Sequence, residues 1–309
     1  MFGVGGVGAF FGGLLARAGA DVHFIARGPQ LDALRTAGIR IRSTRLGDLQ
    51  SGPVHAESDP LAIGRCDLVL ICVKAHQTSS ILDAVAPLIG EHTTIVTLQN
   101  GVESDEPVAT RFGAARLVPG VVYVGATLDE PGIVTHVAAG TITIGVRSTG
   151  DAARLPAVAA ALERTGQTVT VVPDIQRERW RKLLWNASFN PVSAITGRTP
   201  RELVAIPSAR QLVIDLMREV IAVAAAQGIV IGDSSVDEQL AWTERAPAIR
   251  TSMMVDRQRA REMETDALVG VVVRKGSERG VPTPVSQSMF ALLQAIAPDS
   301  PTVARSPAR

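Results

Sequence analysis

The chain has 309 residues, 46% of them hydrophobic and only 20% charged, which is length for about two ordinary domains and a composition suited to burial, not disorder. With 31 Lys and Arg against 30 Asp and Glu, and with few aromatic residues (7 Phe, 3 Trp, 1 Tyr), it has neither the field to hold a polyanion nor the rings to stack bases, so no nucleic-acid partner is expected. Its two cysteines, Cys66 and Cys72, share no metal-ligand spacing with the five His, which points to a reducing, cytoplasmic setting without disulfides or a structural metal.

Residues 1–16 carry no charge and end near a small-residue step, Ala16-Arg17-Ala18. They lack a basic flank, and six glycines would weaken a signal helix, so the stretch does not read as a signal peptide. No run reaches about 18 consecutive apolar residues, and no membrane partner is expected. Instead, Gly3-Val4-Gly5-Gly6-Val7-Gly8 fits G-x-G-x-x-G and is followed by an apolar helix pattern, a Gly19 stop and an alternating strand over 22–26. That is the order of a dinucleotide-binding, Rossmann-type β-α-β unit. Gly3 would permit the tight turn, Gly5 would let the backbone approach a pyrophosphate, and Gly8 would let helix and strand pack closely. The helix N-terminus would offer its N–H groups to the anion. A small-residue packing motif is the alternative.

Arg27 stands at the end of that strand, where an NAD site usually places Asp or Glu against the ribose. A guanidinium there suits a 2′-phosphate and favours NADP, with Arg35, Arg40 and Arg42 as unranked helpers; the alternative is a solvated loop arginine. A central strand needs about five residues before the first glycine, and only Met1 and Phe2 are present. Either the natural start lies upstream or the first strand is a stub.

Residues 67–73 (DLVLICV) and 94–98 read as buried parallel strands, and Lys74 and Asn100 fall at their carboxyl ends, where open α/β sheets bind ligands. Each could equally be an ordinary strand-ending polar residue. Short β-type segments follow at 121–124, 133–137, 141–146 and 168–172, with Ala138-Ala139-Gly140 reading as a hairpin turn in an antiparallel extension of the sheet. After Pro173-Asp174 the pattern turns helical. The expected fold is an α/β N-terminal dinucleotide-binding domain, 1–173, then an all-α substrate domain, 174–297, and a disordered tail, 298–309 rich in Pro, Ser and Arg. Helices are expected over 176–190, from Ser208 as N-cap to Gln227, over 236–245, from beyond Pro247 toward Gly280, and over 285–297.

The first of these helices carries Lys182, Asn186 and Asn190 at i, i+4 and i+8, one polar stripe about 12 Å long beside Leu183, Leu184, Trp185 and Phe189. A solvent-facing stripe would explain the lysine better than two mid-helix asparagines, which are poor helix formers. Pro191 should end or kink the helix at Asn190.

With these motifs in view, the chain resembles ketopantoate reductases over nearly its whole length. The matching pieces are GVGGVG at 3–8, ARG at 26–28, CVKAHQT at 72–78, LQNGVE at 98–103, WRKLLWNASFNP at 180–191 and TSMMVDRQRAREMETDALVG at 251–270. The resemblance implies an NADPH-binding domain, a helical domain and a cleft between them in which a 2-oxo acid is reduced to a 2-hydroxy acid, ketopantoate giving pantoate on the route to coenzyme A. It implies Lys182 as general acid with Glu264 as its partner carboxylate, Asn186 and Asn190 as substrate contacts, and Ser252 as a carboxylate contact. Lys74, Asn100 and Glu264 would also contact the cofactor, beside Gly3, Val4, Gly5, Gly6, Val7, Gly8 and Arg27, and Asn100 the substrate as well.

The chemistry is sound on its own terms. Hydride reaching a ketone carbon builds negative charge on oxygen, and a lysine ammonium stabilises that charge and supplies the proton. A dry cleft would lower the lysine pKa, and Glu264 would oppose the drop. One straight helix carrying both Ser252 and Glu264 would separate them by about 18 Å and 120°, so Ser252 is expected in a loop that folds back, with the helix starting nearer Asp256. Without the resemblance, Glu264 reads as a surface carboxylate pairing with Arg257 or Arg261.

The chain also departs from the family pattern, with Met263 for the usual Thr before the glutamate, Thr265 for the Ile after it, Val269 for an Asn, and Ile249 where some members have an Asn. A reductase of another 2-oxo acid, or a catalytically idle NADPH-binding regulator, are therefore the competing readings. A homodimer is compatible with the helical domain, though no pattern singles one out.

Overall fold

The computed structural model describes residues 1–147, 152–232, 234–247 and 249–297. The chain divides into two compact units, Met1–Lys182 and Leu183–Arg309. The tail expected to be disordered, from Pro298, lies outside the described residues.

The first unit runs α1 (Gly6–Arg17), β1 (His23–Ile25), α2 (Gly28–Thr36), β2 (Arg40–Ser43), β3 (Gly47–Gln50), β4 (His55–Glu57), β5 (Cys66–Ile71), α3 (Thr78–Val85), β6 (Ile89–Thr97), α4 (Glu106–Phe112), β7 (Leu117–Glu130), β8 (Ile133–Gly145), α5 (Leu155–Glu163) and β9 (Val169–Val172), then enters α6 (Ile175–Thr196). Strand β1 pairs in parallel with β4, and β5, β6 and β7 pair in parallel in that order. Phe2 joins the two groups, bridging in parallel to Ile25 on one side and Ile71 on the other. Phe2 is held there by its N–H to Leu70 O and by Cys72 N–H to Phe2 O, both 2.8 Å.

Period-2 alternation sorts the strand residues onto two faces. Phe24, Leu70 and Val96 join Phe10, Phe11 and Leu14 of α1 and Leu155, Val158 and Leu162 of α5 in one core, while Ile25, Val69, Ile71 and Ile95 join Val85 of α3 and Val108 of α4 in the other. Helices cover both faces, as a largely parallel sheet requires.

Strands β7 and β8 form the antiparallel extension, with the hairpin at Pro131-Gly132, not at Ala138-Ala139-Gly140. Residues 133–145 are one strand with a bulge: Tyr123 pairs with Thr141 and Val124 with Ala139, leaving Gly140 as the extra residue. His136 holds this kink. Its Nε2 lies 3.1 Å from both the Ala138 and Ala139 carbonyls, and its Nδ1 lies 2.8 Å from Ser43 Oγ. Ser43 Oγ also accepts from the Arg45 and Leu46 backbone N–H groups, so its own proton goes to Nδ1 and the ring is the neutral Nε2–H tautomer.

The second unit contains the rest of α6, then α7 (Pro200–Val204), α8 (Pro207–Ala226), α9 (Ser235–Arg245), α10 (Ser252–Gln258), a π-helical turn (Asp266–Gly270), α11 (Val271–Glu278) and α12 (Pro284–Ala295). Three expectations need correction. Pro191 does not end α6, which continues to Thr196 through residues that are buried from Ala187 to Ala194; surrounding packing outweighs the one backbone hydrogen bond a proline removes. Helix α8 starts with Pro207 at its first position and Ile206 as cap, one residue before the expected Ser208. The long helix expected toward Gly280 is broken between α10 and the π turn, with Ala260 at φ +50°. No helix among the described residues is long and apolar enough to cross a membrane.

Burial lowers the His136 pKa below its ordinary 6.5, the two carbonyl contacts opposing only in part. The unfolded chain therefore binds this proton more readily, and the ring's contribution is complete above about pH 6.5 and lost as pH falls through the depressed folded value. Denaturant titrations from pH 8 to 5 should show stability falling below pH 6.5, and His136→Gln should flatten that limb.

Candidate active site

The glycine loop is shaped by close approach. Gly3 has φ +97°, and a Cβ there would lie 2.6 Å from Val73 N, against the end of β5. A Cβ on Gly8 would lie 2.0 Å from Gly3 O, so the first turn of α1 packs on the loop itself. At Gly5, which caps α1, a Cβ would meet nothing within 4 Å. The backbone is open on that side, where the N–H groups of the first helical turn emerge. Arg27 stands two residues after β1 and is the N-cap position of α2, with its side chain exposed. Of its suggested helpers, Arg35 is bound to Glu57 at 2.6 Å and Arg40 to Asp48 at 2.8 Å, while Arg42 is exposed on β2.

Lys74 and Asn100 lie just beyond the carboxyl ends of the adjacent strands β5 and β6. Gln99, buried between them, ties the two ends together: its Nε2 donates to Val73 O at 2.9 Å and to Thr78 Oγ1 at 2.8 Å. The sequence reading passed over this strap, though it sits inside the quoted LQNGVE piece.

Helix α6 carries Lys182, half-buried, to the same rim. Its Nζ donates to Asn100 Oδ1 at 2.8 Å and lies 5.9 Å from the centroid of the Tyr123 ring. Burial above all, and then the Glu178 charge, pushes the Tyr123 phenol up to about 12. The ring is neutral at working pH and presents a π face to the ammonium. Tyr123 is the only tyrosine in the chain, yet nothing local in the sequence marked it as a site residue.

In the second unit, Asn186 and Asn190 are 7% and 1% exposed, which rules out a solvent-facing stripe. Asn190 Oδ1 is buried without a hydrogen-bond partner. Ser252 is the exposed first residue of α10, whose cap is Thr251 Oγ1, accepting from Met254 N–H at 3.2 Å. Ser252 is thus helical, not in the loop expected for it, and Glu264 lies in the irregular segment between α10 and the π turn; one straight helix does not carry both, but the break falls after Gln258 and not before Asp256. Glu264 is 4% exposed, so it is no surface carboxylate, and Arg257 donates instead to Ile195 O at 2.9 Å. The π turn begins two residues after Glu264, capped by Thr265, and π turns recur at functional sites. Met263 and Val269 beside it are buried.

Comparison with known proteins identifies the family. The family model described as ketopantoate reductase PanE/ApbA matches residues 1–149, and the model of its C-terminal part matches residues 174–297. A 2-dehydropantoate 2-reductase of Mesorhizobium japonicum is 32% identical, covering 96% of this chain and 97% of its own length. One from Mycobacterium tuberculosis is 33% identical, covering 97% and 98%. The crystal structure of a 2-dehydropantoate 2-reductase from Geobacter metallireducens, 35% identical, matches with a TM-score of 0.91 over 95% of this chain and 98% of that one. Two halves matched in order, with identity above 30% along nearly the full length, leave no ambiguity of kinship: the chain belongs to the ketopantoate reductase family.

Proposed function

We propose that the chain reduces ketopantoate to pantoate with NADPH, and that Lys182 is the general acid. The observation that carries this reading is the Lys182–Asn100 hydrogen bond of 2.8 Å at the carboxyl ends of parallel strands, where an α/β sheet of this kind binds its ligands. The glycine loop fits a dinucleotide: the backbone beside Gly5 is open, and the other loop glycines pack too closely for a side chain. A nicotinamide cofactor, when bound, supplies the hydride. Gly3, Val4, Gly5, Gly6, Val7 and Gly8 would hold its pyrophosphate, Arg27 its 2′-phosphate, and Lys74, Asn100 and Glu264 its nicotinamide end.

As hydride reaches the carbonyl carbon, Lys182 would stabilise the growing oxyanion and deliver the proton. Asn100 Oδ1 fixes the position of the ammonium at the strand ends. The buried, unpartnered Asn190 Oδ1 suits a substrate hydroxyl as donor; by the family resemblance Asn100, Asn186 and Ser252 would be the other substrate contacts and Glu264 the partner carboxylate of Lys182.

A second reading, the reduction of a different 2-oxo acid, is favoured by one feature: Met263, just before Glu264 in the chain, and Val269, in the π turn after it, are buried apolar residues, 5% and 0% exposed, where the family has polar ones. Steady-state assays against a panel of 2-oxo acids decide between the two. Ketopantoate should give the highest kcat/KM, and another acid equal or better would reassign the substrate.

Lys182→Ala should lower kcat by about 10²- to 10⁴-fold, the range for losing a general acid, while NADPH still binds. Arg27→Ala should raise KM for NADPH about tenfold and leave KM for NADH unchanged, the low end of a charged hydrogen bond because Arg27 is exposed. Equal effects on the two cofactors would remove the 2′-phosphate role.

A further inference from the structure

Two cations on the first turns of α6 grip one short loop. Lys182 holds Asn100 at the start of the segment that follows β6. Arg179, one turn earlier, holds its end: Nη1 donates to Asp105 Oδ1 and, at 3.4 Å, to Val102 O. Asp105 precedes α4 and also accepts from Arg147 Nη1 at 3.3 Å, whose Nη2 reaches Glu106 at 3.1 Å.

The Arg179–Asp105 pair is fully inside the protein, with side chains 1% and 0% exposed. It is also incompletely satisfied. Asp105 Oδ2 and Arg179 Nε and Nη2 are buried without partners, and so is Ser104 Oγ beside them. Desolvating both charges costs several kcal/mol per ion, and replacing such a pair by packed apolar groups is often neutral or stabilising. Stability is therefore a poor reason for an ion pair with three orphaned polar atoms. What the pair does supply is geometry: it fixes the azimuth and height of α6 over the 100–105 loop at the level of Lys182.

We propose that Asp105 and Arg179 are positioning residues for the proton donor, locking α6 to the post-β6 loop so that Lys182 Nζ stays on Asn100. This rests on the reading of Lys182 as the general acid. Both act through Lys182 and Asn100. A displacement of about 1 Å at a reacting group costs on the order of 10²-fold in rate, which sets the scale of the effect.

The test uses the full-length protein in three variants, Asp105→Asn, Arg179→Lys and the double Asp105→Leu/Arg179→Leu, with steady-state kinetics, NADPH binding by fluorescence and thermal unfolding. Asp105→Asn should lower kcat about 10- to 100-fold while KM and binding for NADPH stay within about twofold, and Arg179→Lys, which keeps a charged donor, should recover part of kcat. The double variant removes the buried charges together and should fold with a Tm at or above the parent's, yet keep the low kcat. A stable double variant with parental kcat would overturn the proposal and reduce the pair to structure. Lys182→Ala measured alongside separates the two ideas: if that variant keeps full turnover, the reading of the lysine fails, and if it is inactive while the double variant is not, only the positioning role fails.

Discussion

An ammonium on four methylenes has no fixed direction unless something holds it, and here Asn100 Oδ1, 2.8 Å from Lys182 Nζ, does so. The rest of the first unit can be understood as what that contact needs. Asn100 is placed by the end of β6, the end of β6 is strapped to β5 through Gln99, and β5 is bridged to the glycine loop's own segment through Phe2. The lysine comes from the other direction, on a 22-residue helix anchored by Arg179 one turn away. Two independent supports meet in one hydrogen bond, so small errors in either would show at the Lys182 ammonium.

Much of this was legible locally. The spacing of Gly3, Gly5 and Gly8 encodes a turn whose backbone touches itself, and the i, i+4, i+8 placement of Lys182, Asn186 and Asn190 needs nothing but a helix to become a stripe. The apolar runs that became β5 and β6 identified themselves by length and by the polar residues ending them. Where the sequence misled, non-local contacts had overridden a local rule. Ala138-Ala139-Gly140 carries turn residues, but His136 and the β7 register make it a bulge. Pro191 should stop a helix, yet its neighbours are packed on every side and the helix runs on. The break after Gln258 contains neither Gly nor Pro to announce it.

Other features gave no local signal at all. Strand β2, Arg40-Ile41-Arg42-Ser43, has a single apolar residue and pairs with β8 more than 90 positions away. The Arg179–Asp105 pair is likewise separated by 74 positions, and each half looks like an ordinary surface charge until the fold buries it. In the second unit, Met263 and Val269 flank the buried Glu264 in the chain and are themselves buried and apolar, so the carboxylate is kept while neighbouring positions differ from the family pattern. A family can in this way keep one reaction and vary which acid it accepts.

The most direct test of the account is chemical rescue at the lysine. Lys182→Ala, assayed with ketopantoate and NADPH, should regain turnover in proportion to added methylamine or ethylamine, with the rescued rate following the pKa of the amine as expected for an exogenous proton donor. A rate that stays flat across amine concentration and amine pKa would contradict it, because the proton would then come from somewhere other than position 182.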